Sequence, residues 1–328
     1  MIPYIPPKLK KGDVIRVISP SRSYSIISKQ TRAIAYERFK KLGLKVSFGK
    51  HVEETDKFLS SSIQSRVADL HDAFLNPQVK GIIAVIGGYN SNQLLNYIDW
   101  SIVKNNPKIF LGFSDITTLQ TAMLTQANLA TYYGPNFADF GQQKYFEYSL
   151  HYIKLCLMEN SIYSVISSKT WTDDLWYIDQ LNRHNLLNTG PIIINKGAAH
   201  GIIMGGNLCA LNLLQGTKYF PDLQNSILFI EDDEATSAEI FDRELQSLIN
   251  QSTFHNIKGI CIGRFQKKSA ISDKQIIEIL KSKKELDYIP IAYNINFGHT
   301  NPKITFPIGG EARIVLLNNI VKITITKH

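Results

Sequence analysis

The chain has 328 residues, enough for two packed domains, and with 44% hydrophobic and 20% charged residues it has an ordinary globular composition, not a disordered one. The net charge of +8 comes from scattered Lys and Arg residues, without the basic stripe or reader motif of a nucleic-acid-binding protein. Cys156, Cys209 and Cys261 are odd in number and widely spaced, which indicates neither a disulfide framework nor a zinc site and favours buried free thiols.

The N-terminus, MIPYIPPKLKKGDVIRVIS, lacks the apolar core of a signal peptide, and no uncharged run in the sequence is long enough to span a bilayer. We therefore expect a cytoplasmic protein without a membrane partner.

The first 155 residues alternate between apolar runs and segments with helical spacing of apolar residues. Such alternation predicts a parallel sheet covered on both faces, that is, a doubly wound α/β domain. The predicted strands are DVIRVIS, LKVSFG, VKGIIAVIGG and KIFLGF, and the predicted helices cover residues 27–42, 63–74, 91–99 and 116–127.

The periodicity weakens over residues 156–195, where polar residues mix with tryptophans, and we interpret this part as a linker that also supplies a substrate loop. Residues 196–328 are rich in short strands and predict a second, α+β domain. Its predicted strands lie at 226–234, 257–265, 289–297, 303–310 and 311–325, and its predicted helices near 236–250 and 273–284.

Ser114 follows the predicted strand KIFLGF in the stretch GFSD, at the start of a helix. A serine at such a turn can expose its oxygen as a nucleophile while the helix N-terminus offers N–H groups to an oxyanion. GFSD lacks the second glycine of the nucleophile elbow, however, and Ser114 or Asp115 as a helix N-cap explains the same residues. The turn alone leaves both interpretations open.

Gly87 and Gly88 end the neighbouring strand without a dinucleotide-binding or phosphate-loop motif. In an open parallel sheet, ligands bind beyond the carboxyl ends of the strands, so the Gly88 amide is a candidate oxyanion donor. A tight turn with Asn90 or Ser91 capping a helix is the alternative.

A nucleophilic serine needs a base that a carboxylate orients. His299 is the best candidate for the base, because it lies in a Gly-His-Thr-Asn-Pro turn between two predicted strands, where a rigid loop exposes the side chain. Most turn histidines, however, are only solvated. Glu231 directly ends the apolar run SILFI and is the best-placed acid. Asn207 follows another glycine pair, where it either donates to a substrate or, more simply, caps a helix.

The sequence resembles the LD-carboxypeptidase family of serine peptidases in six short stretches, which are, in chain order, IGGYNSNQLL, GFSD, YYGP, GGNL, FIEDDE and FGHTNPKITFPIG. The resemblance implies a flavodoxin-like N-terminal domain and a smaller, swivelling, β-rich C-terminal domain. It also implies that Ser114 is the nucleophile, Glu231 the triad carboxylate and His299 the base. The implied oxyanion hole consists of the backbone N–H groups of Gly88 and Asp115.

Within that family, IGGYNSNQLL and the inserted SKTWTDDLW are similar to the microcin C self-immunity branch, whose substrates carry an adenylate-like group. This similarity implies that Trp171 stacks on a nucleobase, a use that suits an exposed indole, and that Tyr89 and Asn207 contact the substrate. Tyr89 stands where that branch often has an acidic residue. Trp171 packing the linker onto a domain is the alternative.

The resemblance thus predicts a homodimeric serine carboxypeptidase that needs neither metal nor cofactor. Its substrate would be a murein LD-tetrapeptide or a peptidyl-nucleotide such as microcin C. A non-catalytic binder of nucleotides or peptidoglycan fragments is the second hypothesis, and a flavodoxin-like cofactor protein, which no cofactor motif supports, is the third.

Overall fold

Two β-sheets with helices packed against them organise the computed structural model, which describes residues 3–318 and 320–328. The strands, in chain order, are β1 Val14–Ile18, β2 Lys45–Phe48, β3 Val79–Ala84, β4 Ile109–Gly112, β5 Thr131–Tyr133, β6 Tyr163–Val165, β7 Thr170–Trp171, β8 Leu186–Leu187, β9 Ile192–Asn195, β10 Gly197–Asn207, β11 Ser226–Glu231, β12 Gly259–Gly263, β13 Ile291–Ile295, β14 Phe306–Ile308, β15 Glu311–Leu317 and β16 Ile320–Lys327. The α-helices are α1 Lys29–Lys41, α2 Ile63–Leu75, α3 Trp100–Asn105, α4 Thr117–Ala127, α5 Glu147–Met158, α6 Leu208–Asn212, α7 Ala238–Ile249 and α8 Asp273–Lys281.

The first sheet has the strand order β14-β5-β4-β3-β1-β2, and its strands are parallel except for β14, which pairs antiparallel with β5. The order 2-1-3-4-5 of its parallel strands is that of flavodoxin. The predicted doubly wound, flavodoxin-like sheet is thereby confirmed.

Helices cover both faces of this sheet because successive strand residues point to opposite sides. Ile82 and Phe110 pack in one buried cluster with Leu70 of α2, whereas Ile83 and Leu111 belong to the other cluster, which includes Phe39 of α1. The same burial on both faces explains why β3 and β4 are apolar almost throughout. Because β3 and β4 run parallel, their carboxyl ends lie at the same end of the sheet.

The second sheet has the order β6-β16-β15-β10-β11-β12-β13-β9. Its centre, β10 to β13, is parallel, and antiparallel strands flank it on both sides. The predicted run at 311–325 folds as a hairpin of β15 and β16. The smaller α+β unit predicted for the second half is confirmed, with a parallel centre that places Glu231 at the carboxyl end of β11.

Chain segments cross between the two halves. The short strands β6 and β9, inside the stretch interpreted as a linker, pair with β16 and β13, and β14 crosses into the first sheet. Asn207 at the end of β10 donates its backbone N–H to Thr117 Oγ1 of α4, 3.0 Å away, so the two units touch beside Ser114. The domain boundaries at residues 155 and 195 remain a prediction.

The thiols differ in exposure. Cys156 and Cys261 are buried, as predicted, but Cys209 is exposed, so the prediction of a buried thiol is wrong there. Cys209 is the second residue of the short helix α6, and its neighbours Leu208 and Ala210 take the buried positions.

The described part of the chain has no helix that is both long and apolar enough to cross a bilayer.

Candidate active site

Ser114 lies directly beyond the carboxyl end of β4, as the first residue of a single 3₁₀ turn, Ser114–Ile116, that leads into α4. Its φ of +67° places a non-glycine residue in the left-handed region, which costs conformational energy and is typical of functional sites. The side chain is partly exposed to a cleft between the two sheets. The serine is therefore held in a strained turn with its oxygen accessible.

His299 and Glu231 reach this serine from the second half of the chain. His299 Nε2 lies 3.0 Å from Ser114 Oγ, and His299 Nδ1 lies 2.7 Å from Glu231 Oε2. The three side chains form one hydrogen-bonded line, in which the carboxylate can hold the imidazole tautomer that accepts a proton from the hydroxyl. The structure thus brings together the three residues predicted to act as nucleophile, base and carboxylate.

Glu231 is almost completely buried and is held by several donors. Tyr133 Oη donates to Glu231 Oε1 at 2.5 Å, and Asn207 Nδ2 donates to the same oxygen at 3.3 Å. Burial by itself would raise the pKa of the Glu231 carboxyl, but the attraction and hydrogen bond of His299, together with these donors, outweigh burial and lower the pKa. Glu231 is therefore ionised and rigidly placed.

The pKa of the His299 imidazole is shifted in the opposite direction. Burial by itself would lower its pKa, but the attraction and hydrogen bond of Glu231, with a further contribution from Asp233, raise the pKa above its ordinary value. The preceding residue, Gly298, has φ +95°, and a Cβ there would lie 2.4 Å from Glu231 Oε2. Only glycine allows the histidine turn to approach the carboxylate this closely.

Two backbone N–H groups border the serine on the side of the first sheet. That of Asp115 belongs to the first turn after Ser114, where N–H groups have no intrahelical partner. That of Gly88 makes no hydrogen bond to any residue within 3–318 and 320–328. A Cβ on Gly88 would lie 2.1 Å from Ser21 Oγ, so this loop position also requires glycine. Both amides are available to an oxyanion.

The Asp115 carboxylate accepts hydrogen bonds from neighbouring loops. Its Oδ2 accepts hydrogen bonds from Ser21 Oγ at 2.6 Å, from the backbone N–H of Asn90 at 3.1 Å and from that of Ser91 at 3.0 Å. These bonds tie the loop after β3 to the turn after β4. The Asp115 side chain therefore fixes the distance between the two candidate amides.

A cavity of about 380 Å³ opens on Ser114, the size of a small-molecule site. Its walls are partly aromatic, with Trp176, Tyr177 and Phe113, and partly charged, with Arg22 and Lys303 among the cations. A second cavity of about 360 Å³ meets it at Ser114 and Gly88 and contains Tyr89 and Asn207. A substrate at Ser114 can extend in two directions.

The three residues predicted to contact the substrate lie in different surroundings. Tyr89 is half exposed in the second cavity. Asn207 is buried, caps α6 through Oδ1 to the Ala210 N–H, and also donates to Glu231, so the capping interpretation holds and its amide supports the carboxylate. Trp171, in β7, does not line the cleft at Ser114: its ring lies under the Arg264 guanidinium at 4.9 Å and the Lys267 ammonium at 5.6 Å.

Sequence reasoning missed three residues of the site. Trp176, five positions after Trp171 in the same insert, is the indole on the cleft wall, and a second tryptophan in SKTWTDDLW was the available signal. Tyr133 lies in the quoted stretch YYGP, but nothing local ties it to Glu231. Arg22, between two serines after β1, gives no pattern at all.

The chain is similar to known proteins in both sequence and structure. Residues 15–134 match the model of the LD-carboxypeptidase N-terminal domain, and residues 200–314 match that of the C-terminal domain. The chain is 47% identical to YocD of Bacillus subtilis, over 98% of this chain and 99% of YocD. A crystal structure of an MccF-like protein from Bacillus anthracis superimposes with a TM-score of 0.98 at 50% identity, covering 99% of this chain and all of that chain.

Two more distant relatives have names that state a function. The microcin C7 self-immunity protein MccF of Escherichia coli is 28% identical over 98% of this chain and 96% of its own length. Its complex with aspartyl sulfamoyl adenosine has a TM-score of 0.89 over 99% of both chains, and a variant of it was solved with adenosine monophosphate. The murein tetrapeptide carboxypeptidase of Pseudomonas aeruginosa is 25% identical over 82% of this chain and 83% of its own.

Proposed function

The chain belongs to the LD-carboxypeptidase family, and from that premise we propose that it is a serine carboxypeptidase acting through Ser114, His299 and Glu231. Its reaction would be hydrolysis of an amide-type bond at the C-terminal end of a small peptide-like substrate. The observation that carries this proposal is the hydrogen-bonded line from Ser114 Oγ through the His299 ring to Glu231.

The first half of the proposed reaction is acylation. His299 Nε2 accepts the Ser114 proton as Oγ attacks the substrate carbonyl, and the ionised Glu231 stabilises the imidazolium. The tetrahedral oxyanion takes hydrogen bonds from the N–H groups of Gly88 and Asp115. His299 then gives its proton to the leaving nitrogen, and the acyl group stays on Ser114.

The second half is deacylation. His299 accepts a proton from a water molecule, the resulting hydroxide attacks the acyl carbon, and the ester to Ser114 breaks. The proton returns to Ser114 Oγ, which restores the enzyme. Because the serine and its two partners come from different halves of the chain, the contact between the halves at Asn207 and Thr117 supports the reactive geometry.

The proposal covers two substrate classes. A peptidyl-nucleotide or aminoacyl-nucleotide would place its base against Trp176 and Tyr177, since a base stacks well on an aromatic ring. A murein LD-tetrapeptide would use the same cleft for its terminal residue. The aromatic wall favours the nucleotide-type substrate, in line with the ligands of the Escherichia coli relative.

The test is product analysis. Purified protein is incubated separately with aspartyl sulfamoyl adenosine and with a murein tetrapeptide ending in D-alanine, and the products are identified by mass. We expect free aspartate and sulfamoyl adenosine in the first reaction. Release of D-alanine instead would assign the murein class. Binding without turnover of either compound would support the non-catalytic binder.

The homodimeric state and the cytoplasmic location expected from the sequence stay predictions. Size-exclusion chromatography with light scattering measures the first, and cell fractionation the second.

A further inference from the structure

Arg22 stands out among the charged groups of the cleft because its guanidinium makes no hydrogen bond and no ion pair in the described part of the chain. It lines the cavity that opens on Ser114. Its Nε is fully buried without a hydrogen bond, and no ion pair or hydrogen bond joins the guanidinium to any other residue that the structure describes. Its nearest aromatic neighbour is Tyr89, whose ring centre is 6.0 Å from Cζ. The two terminal nitrogens of the guanidinium are not buried in this way, so their N–H donors can reach a ligand in the cleft.

The other cation named on the cleft wall is already neutralised. Lys303 Nζ lies 3.0 Å from Asp139 Oδ1 in a pair whose two side chains are both buried, and it also sits 4.3 Å from the centre of the Phe113 ring. A pair of this kind leaves little net charge for a ligand.

Besides Asp139, four carboxylates line the cleft: Asp173, Asp174, Asp233 and Glu234. Asp174 lies 3.5 Å from the His184 ring, and Asp233 accepts the Ala235 N–H at 2.8 Å. Asp173 lies 3.3 Å from Lys267 Nζ, and Glu234 lies 2.7 Å from Lys268 Nζ. Asp115, the acid next to Ser114, is occupied by Ser21, Asn90 and Ser91. Within the residues that the structure describes, Arg22 is therefore ion-paired with none of the carboxylates that line the cleft.

The location of Arg22 relative to the reacting atoms is set by the glycine loop. The Arg22 backbone N–H donates to the Gly87 carbonyl at 3.4 Å, and a Cβ on Gly88 would lie 3.1 Å from Arg22 Cγ. A Cβ on Gly87 would lie 3.1 Å from Ser114 Oγ. Arg22 thus borders the loop that carries the Gly88 amide, the candidate oxyanion donor.

We propose that Arg22 binds the anionic group of the substrate's leaving part, a carboxylate or a phosphate-type group next to the bond that is cleaved. The inference rests on the proposed function and extends it to the recognition of the leaving group. A planar guanidinium presents paired N–H donors that match both carboxylate and phosphate oxygens. Arg22 acts in binding, so its loss raises KM more than it lowers kcat.

The experiment uses calorimetric binding to the full-length Ser114→Ala protein, which holds ligands without turnover. Two matched ligand pairs separate the anion from the rest of the molecule. Adenosine monophosphate is compared with adenosine, and N-acetyl-L-lysyl-D-alanine with its C-terminal amide. In each pair only the first member carries the anionic group.

We expect Arg22→Gln to weaken binding of the charged member of one pair by about 10-fold or more, the range of a hydrogen bond to a charged group. Binding of the neutral member should not change. Arg22→Lys should recover part of the affinity. Arg313→Gln, on the exposed face of β15, removes the same charge away from the cleft and should change nothing.

The pair that responds identifies the anion. A response of the adenosine monophosphate pair assigns a phosphate-type group, and a response of the peptide pair assigns a carboxylate. Equal weakening of charged and neutral members, or no weakening, in a protein that still hydrolyses its substrate overturns the assignment of Arg22 alone. Absence of both binding and hydrolysis in the folded wild-type protein overturns the proposed function, and this inference with it.

Discussion

His299 Nε2 lies 3.0 Å from Ser114 Oγ although the two residues are 185 positions apart in the chain. Ser114 follows β4 of the first sheet, and His299 follows β13 of the second. Glu231, which contacts the other ring nitrogen of His299, ends strand β11 of the second sheet. The reactive geometry therefore depends on how the two halves pack together.

The first prediction concerns pH. A neutral imidazole is needed to accept the serine proton, so kcat/KM rises with pH through the pKa of His299, which lies above its ordinary value of about 6.5. Glu231→Gln removes the attraction that raises this pKa. We expect the acid limb to move to lower pH and the maximal rate to fall by about 10²- to 10⁴-fold. An unmoved limb would contradict the role of Glu231.

The second prediction concerns Tyr133, a positioning residue. Its hydroxyl donates to Glu231 and accepts the backbone N–H of Ser114 at 3.2 Å. Tyr133→Phe leaves both groups short of a partner, so kcat should fall by about 10-fold or more with KM unchanged. If the variant has a lower melting temperature but wild-type kcat at 25 °C, Tyr133 is only structural.

The third prediction separates the two tryptophans of the insert. Trp176→Ala should weaken binding of adenosine monophosphate by about 5- to 150-fold, the range for loss of one base–aromatic stack. Trp171→Ala should leave that affinity unchanged, because Trp171 lies under Arg264 and away from the cleft. The reverse pattern in calorimetry would restore the sequence-based hypothesis for Trp171.

The fourth prediction concerns stability. Burial, with repulsion from Glu231 and Glu244, raises the pKa of the Asp232 carboxyl to about 8. A raised carboxyl pKa means that the folded state binds the proton more tightly, so its contribution to stability is lost as the pH rises from about 4 through 8.

Asp232→Asn keeps the acceptor oxygen for Asn207 and for the Asp233 N–H but cannot ionise. We expect its melting temperature to exceed that of the wild type by a few degrees at pH 9 and to differ little at pH 4. Thermal unfolding followed by circular dichroism at both pH values measures this. An equal shift at the two pH values would show that charge is not the cause.

Local sequence patterns predicted β1 to β4 of the first sheet, because β1, β3 and β4 are buried on both faces and read as apolar runs. The three-residue strand β5 was not predicted. Ser114 and Glu231 were selected as candidates because each follows or ends an apolar strand, and ligands bind beyond the carboxyl ends of parallel strands. The short strands β6 and β9 were not predicted, because a strand of three or four residues carries no period of its own. β14 lies within the predicted strand 303–310, but its pairing with the first sheet was not predicted, because its partner β5 lies far along the chain.

Side-chain partners across the two sheets were beyond sequence reasoning for the same reason. Tyr133 and Glu231 are 98 positions apart, and only packing brings them together. Trp171 and Trp176 lie five positions apart in a segment without a regular period, so the sequence does not tell which of the two indoles lines the cleft. The free guanidinium of Arg22 is a property of the cleft, visible only when the pairing of every neighbouring charge is known.

The most direct measurement is covalent labelling by a serine-directed organophosphorus reagent, followed by intact-protein and peptide mass analysis. With Ser114 as the nucleophile, the wild-type protein should gain a single adduct on the peptide containing Ser114 and lose all hydrolysis. Ser114→Ala should gain none and should fail to hydrolyse substrate while unfolding as cooperatively as the wild type. An adduct on another residue, or turnover by Ser114→Ala at the wild-type rate, would contradict the account.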